Sequence, residues 1–123
     1  MQIKGTVVHG KEMSRTLGYP TANLAYISPE TLKKGMWACV VRLENDERVF
    51  RGVAVVGKWD QADGYPGIEV HLLDFSDDLY GKTLLVEPRV FLRDLFAFSQ
   101  MQELVKQIQI DVQQTREKIA LHE

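Results

Sequence analysis

The chain has one cysteine, so an internal disulfide is excluded. Cys39 lies in the apolar run Trp37-Ala38-Cys39-Val40-Val41, where nothing would lower a thiol pKa, and it reads as a small core residue rather than a nucleophile. No sign of charge dominates. A formal net charge of −2 leaves no electrostatic footprint for nucleic acid or an anionic membrane surface. The longest apolar runs are strand-sized, which argues against a membrane-spanning helix, and Met1-Gln2-Ile3-Lys4-Gly5 lacks the apolar core of a signal peptide. A cytoplasmic protein is therefore the expectation. There is no Gly-x-x-x-x-Gly-Lys-Ser/Thr, so a conventional P-loop is excluded. His9, His71 and His122 lack zinc-site spacing, and no serine or cysteine stands in a recognisable nucleophile setting. If the chain is an enzyme, it activates a substrate group instead of forming a covalent intermediate.

What is present fits one domain over residues 1–123, with 45% hydrophobic and 26% charged residues and no repeats or linker-like tracts. The first two-thirds read as short β segments broken by Gly, Pro, Asn and Asp: Ile3–Val8, Met36–Leu43, Arg48–Val56, Ile68–Phe75 and Thr83–Leu92. Glu44-Asn45-Asp46-Glu47 is read as a hairpin, because Asn and Asp tolerate turn geometry. Strands this close together, without intervening helices, must pair antiparallel in a small barrel or sandwich. The last quarter changes period. Met101, Leu104, Val105, Ile108, Val112 and Ile119 recur at helical spacing, predicting a helix over about 100–120 with this stripe packed on the sheet. Ser99 and Gln102 are in place for a capping box at its start.

Two segments could carry chemistry. The run from Val7 to Asn23 leaves a strand at Gly10, carries Lys11 and Arg15 through a polar loop, and closes on Gly18-Tyr19-Pro20-Thr21-Ala22-Asn23. Glycines let backbone N–H groups approach phosphate, and the cations can neutralise it. Thr21 and Asn23 lie two apart, so in extended chain a hydroxyl and an amide oxygen face one way, as hard-oxygen ligands of Mg²⁺ do. An ordinary Gly/Pro/Asn turn has the same composition. The second segment is Gly67-Ile68-Glu69-Val70-His71-Leu72, whose alternation puts Glu69 and His71 on one face. A carboxylate at a barrel mouth can take a hydroxyl proton in phosphoryl transfer, but a solvated strand face reads identically.

In order and spacing these segments resemble the riboflavin kinase family over nearly the whole chain. The resemblance is carried by Leu17-Gly18-Tyr19-Pro20-Thr21-Ala22-Asn23, Gly35-Met36-Trp37-Ala38, Ile68 to Phe75, Asp78-Leu79-Tyr80-Gly81, Leu92-Arg93 with Phe98, and the helix containing Ile108 and Asp111. It implies a mainly β fold, a six-stranded antiparallel Greek-key barrel with a C-terminal α-helix. It also implies transfer of the ATP γ-phosphate to the ribityl 5′-hydroxyl of riboflavin, giving FMN and ADP. By the same resemblance Glu69 is the catalytic base, and Thr21 and Asn23 hold Mg²⁺ with ATP. Gly10, Lys11, Arg15, Gly18, Thr21, His71 and Tyr80 line the nucleotide side. Arg93 and Phe98 belong to the flap over the flavin. The expected partners are the small molecules riboflavin and ATP, with no nucleic acid and no membrane, for a monomer.

Some positions depart from the family pattern. Ser14 stands where Gly is common, Val55 where Asn or Ser is usual, Lys58-Trp59-Asp60 in place of Arg-Pro-Thr, and Leu95-Phe96 in place of a more polar pair. The departures at Ser14 and Lys58–Asp60 motivate the alternative of a non-catalytic flavin- or nucleotide-binding module on the same barrel. These residues contain no nucleotidyltransferase of the kind often fused to such modules, so FAD synthesis is not expected of them.

Overall fold

The computed structural model describes residues 1–8, 21–26, 32–95, 97 and 99–121. Six strands form a closed antiparallel barrel: β1 (Ile3–Val8), β2 (Ala22–Tyr26), β3 (Gly35–Leu43), β4 (Val49–Asp60), β5 (Pro66–Leu72) and β6 (Thr83–Arg93), in the order β1-β2-β5-β4-β3-β6 with β6 returning to β1. The mainly β, six-stranded barrel with one C-terminal helix is thus observed. β1 shows strict alternation of buried and exposed residues, the pattern of a strand with one face on a core. Ile3, Val7, Leu24, Val41, Ala54, Val56, Ile68, Val70, Leu84 and Val86 fill the interior with Cys39, which is completely buried. Burial pushes the Cys39 thiol pKa far up, as expected of an inert core cysteine.

Strand limits differ from the sequence expectation chiefly in β2, β5 and β4, and by a single residue at the start of β3 and the end of β6. The stretch Ala22–Tyr26, read as part of a turn-rich segment, is a strand that pairs with β1 and β5. β5 stops at Leu72 rather than Phe75, because Leu73 N–H turns to the Arg51 carbonyl at 2.9 Å and Asp74 adopts a left-handed φ of 62°. β4 runs on to Asp60 through a register shift after Val56. There the Trp59 indole lies directly on Gly67, and any Cβ on Gly67 would overlap the ring. The β3–β4 hairpin forms where expected. Asn45 takes φ 64°, and Arg48 embraces Asp46 through Nε at 3.1 Å and Nη2 at 2.8 Å.

Helix α1 (Met101–Lys118) packs on the outside of the barrel over β3, β4 and β6. Its N-cap is Gln100, with φ −132° and ψ 142° and no side-chain cap, so the Ser99/Gln102 box does not form. With Gln100 as N-cap the third helical residue is Glu103, whose charge suits the positive end of the helix. The apolar stripe is also less deeply seated than its period suggests. Met101 is exposed, Leu104, Val105, Ile108 and Val112 are half-buried, and the helical residues wholly buried are Asp111 and Thr115. Arginines tie the helix to the barrel. Arg93 of β6 grips Asp111, Arg116 pairs with Asp74 beyond β5 at 2.9 and 3.0 Å, and Arg51 Nε of β4 donates to the Ile119 carbonyl at 2.7 Å. No helix among the described residues is long and apolar enough to cross a membrane.

Candidate functional site

Directly paired residues in an antiparallel sheet share a face. One row of such pairs crosses every strand of the barrel: Val8 (β1), Asn23 (β2), Glu69 (β5), Val55 (β4), Met36 (β3) and Arg93 (β6). Their chain neighbours Ala22, Leu24, Ile68, Val70, Ala54 and Val56 point into the core, so this row faces outward. Outward charged and amide side chains are normally solvated. Here Asn23 is only 5% exposed and Glu69 only 6%. A polar pair this buried needs hydrogen-bond partners, and among the described residues no buried side-chain nitrogen or oxygen lacks one.

The register also carries the expected neighbours. Ala22 lies opposite Val70 at the end of the β2–β5 pairing, and half-buried His71, two residues after Glu69 on β5, pairs with Val53 of β4. Asn23, Glu69 and His71 therefore share the outward face of the β2–β5 seam, and Thr21 immediately precedes β2. The Asp78-Leu79-Tyr80-Gly81 turn reaches the same end of the barrel. Gly81 N–H donates to the Val7 carbonyl at 3.0 Å, one residue before Val8 in the row. Asp78 Oδ1 accepts the Tyr80 N–H at 2.9 Å, shaping the turn, and the Tyr80 side chain is 55% exposed.

Arg93 occupies the far end of the row. Its Nε and Nη2 donate to the two oxygens of Asp111 at 3.0 and 2.8 Å, and Nη1 donates to the Asp94 carbonyl at 3.2 Å. Sequence reasoning placed Arg93 at a flavin flap and did not foresee this ion pair. Its signal would have been a carboxylate on the apolar face of a helix, which calls for a cation opposite. Gly10, Lys11, Arg15, Gly18 and Phe98 lie outside the described residues, as do Ser14 and Phe96. Of the other departures, Val55 stands in the row beside Glu69, while Trp59 has a packing role on Gly67.

Asn23 carries an amide oxygen and Thr21, just before β2, a hydroxyl, with Glu69 paired directly across from Asn23. These are hard oxygen donors, few in number. That suits Mg²⁺, which keeps waters and substrate phosphates among its ligands, better than a cation needing a full protein cage.

A model of the riboflavin kinase family (Flavokinase) matches residues 1–119. The chain belongs to the riboflavin kinase family. It is 39% identical over 113 residues to the bifunctional riboflavin kinase/FMN adenylyltransferase of Haemophilus influenzae, covering 91% of this chain and 36% of that protein. Against the protein of the same name from Escherichia coli K12 it is 39% identical over 120 residues, covering 97% of this chain and 38% of that one. The chain thus spans little more than a third of the length of these two curated relatives. Among solved structures, riboflavin kinase from Trypanosoma brucei superposes with a TM-score of 0.64 at 25% identity, over 94% of this chain and 74% of that one. A Streptococcus pneumoniae chain titled macrolide-efflux protein superposes with a TM-score of 0.85 at 34% identity, over 97% of this chain and 39% of that one.

Proposed function

We propose that this riboflavin kinase domain transfers the γ-phosphoryl group of ATP to the ribityl 5′-hydroxyl of riboflavin, producing FMN and ADP. The observation that carries the reading is the buried Asn23–Glu69 pair on the outer face of the barrel, with His71 on the same face of β5. Phosphoryl transfer needs positioning and charge stabilisation more than covalent chemistry, and this patch offers a base and metal-binding oxygens without a nucleophile. Glu69 accepts the 5′-hydroxyl proton as that oxygen bonds to the γ-phosphorus, and the bond to the β,γ-bridging oxygen breaks to release ADP. Thr21 and Asn23 would hold Mg²⁺, which would neutralise charge on the phosphates. His71 and Tyr80 lie toward the nucleotide end, at the β1–β2–β5 side of the row.

From Glu69 the row continues through Val55 and buried Met36, a carbon surface suited to a flat aromatic ring system. On this reading the flavin lies toward β4, β3 and α1, and the phosphates toward β1 and β2. The same Val55, with carbon where the family pattern has Asn or Ser, is what favours the second reading of a module that binds flavin without turning it over. Incubation with riboflavin, ATP and Mg²⁺, followed by chromatography, separates the two. FMN is expected, and Glu69→Gln is expected to abolish most of it. Flavin binding with no FMN under any divalent metal would establish the second reading instead.

A further inference from the structure

Glu69 lies on an outward strand face yet is almost fully buried. Asn23 of β2 pairs with it on one side and Val55 of β4 on the other, and His71 follows two residues later on β5. The fourth flank on that face is Gly67, two residues before Glu69, which brings no side chain. A carboxylate beside a bare glycine is open to water along the strand. That place is taken by a residue from the neighbouring strand. A Cβ built on Gly67 would overlap Cε3, Cδ2 and Cζ3 of the Trp59 indole almost equally, so the ring lies face-on over Gly67.

The ring is aimed there by an irregularity of β4. Val56 pairs with Ile68 and Asp60 with Pro66, so Gly57, Lys58 and Trp59 together stand against the single residue Gly67. Gly57 takes a left-handed φ of 86°, and the Lys34 stem lies over it, which fixes the path of the extra chain. Bulges of this kind re-aim side chains and recur next to active sites. Filling space alone does not call for one, because an ordinary side chain at position 67 would fill it on a regular ladder. An indole brought across from β4 adds a flat apolar wall lying along the sheet. Lys58-Trp59-Asp60 is also a departure from the family pattern, so the wall belongs to this chain rather than to the fold. A base that takes the proton of an alcohol can equally take that of water. Water would then bond through its oxygen to the γ-phosphorus, pass its proton to Glu69 and break the bond to the β,γ-bridging oxygen, giving ADP and inorganic phosphate. We propose that Trp59 is a specificity-determining residue for the phosphoryl acceptor: by covering Gly67 it keeps water from the flank of Glu69, so that the alcohol alone is activated. This rests on the kinase reading above, with Glu69 as the base.

The test uses the whole chain and compares ADP released with FMN formed, at saturating riboflavin and in its absence, alongside thermal melting. Trp59→Ala is the main variant. Trp59→Leu, which keeps apolar bulk on Gly67 without the flat ring, carries the test if Trp59→Ala does not fold. The unsubstituted chain is expected to release ADP and FMN in equal amounts. Because a general base is worth about 10²–10⁴-fold, giving it water should raise the ADP not matched by FMN about tenfold or more in Trp59→Ala, and by a smaller factor in Trp59→Leu. That excess should vanish in Trp59→Ala/Glu69→Gln. Val86→Ala leaves a cavity in the core, where Val86 pairs with Ile3 and Val41 away from Gly67, and it should lower the melting temperature with ADP and FMN still matched. The same behaviour in the Trp59 variants would show a packing role only and overturn the proposal. So would an equal excess of ADP in Val86→Ala, or an excess that survives Glu69→Gln. No FMN from the unsubstituted chain overturns the kinase reading and this proposal with it, whereas matched products in the Trp59 variants overturn this proposal alone.

Discussion

Asn23 and Glu69 face each other across the β2–β5 seam, both almost fully buried on the outer surface of the barrel. Paired across one seam and deeply buried, these two residues are sensitive to substitution in different ways. Glu69→Gln keeps shape and removes the proton acceptor. FMN formation should fall by about 10²–10⁴-fold with riboflavin binding retained, measured by chromatography and fluorescence titration.

Asn23→Ala should act through the cation. The Mg²⁺ concentration for half-maximal FMN formation is expected to rise by about tenfold or more, since even residues that only support a ligand carry losses of that size. A magnesium titration at saturating riboflavin checks this. An unchanged requirement would remove Asn23 from the metal site.

Gly67 has no room for a side chain beneath the Trp59 indole. Gly67→Ala should cost about 1–3 kcal/mol by overpacking. The cost should shrink when Trp59 is also Ala, because the two residues touch and their effects couple. Chemical denaturation of the two single variants and the double variant measures the coupling.

Acid stability has a definite sign. Hydrogen bonds from Arg48 hold the Asp46 carboxyl down at about 2, those from Arg116 lower Asp74, and those from Arg89 lower Glu87. Each folded-state value lies below the unfolded one. The stabilisation is therefore complete above the unfolded value and lost as pH falls through the folded value. The melting temperature should decline between about pH 5 and about pH 2, and more gently in Asp74→Asn, where one of these groups no longer titrates. Because the Asp74 pair is exposed, its removal at neutral pH should change stability by no more than about 1 kcal/mol.

Cys39 should resist alkylation in the folded protein. It is fully buried and its thiol pKa is raised by desolvation, so little thiolate exists and no reagent reaches it. Mass spectrometry after iodoacetamide treatment should show modification only as the barrel opens in denaturant.

Most strands were legible as short β-rich segments bounded by Gly, Pro, Asn and Asp, although strict alternation marks β1 alone and β3 and β5 are buried on nearly every residue. β2 was hidden because it is five residues long and follows a Gly/Pro-rich segment, and its outward Asn23 reads as a turn former until a partner strand is known. Glu69 and His71 were legible as sharing a face, but no spacing rule reveals that β5 lies between β2 and β4. The helix was visible from its period, whereas its seating was not. Period predicts an apolar seam, and the deepest residues proved to be Asp111 and Thr115, satisfied by Arg93 from β6 and by the helix's own backbone. Long-range charge pairing is a property of the assembled fold, and a linear pattern does not encode it.

The strand order has a consequence for how the site comes into being. β2 neighbours β5, not β3, and the barrel closes only when β6 returns to β1. During synthesis Asn23 emerges long before Glu69, and β3 and β4 are made in between. The buried patch at their seam therefore exists only after a long loop has closed, the kind of contact that slows folding. Until then both groups are ordinary hydrated side chains on an unfinished sheet, with no chemistry to perform.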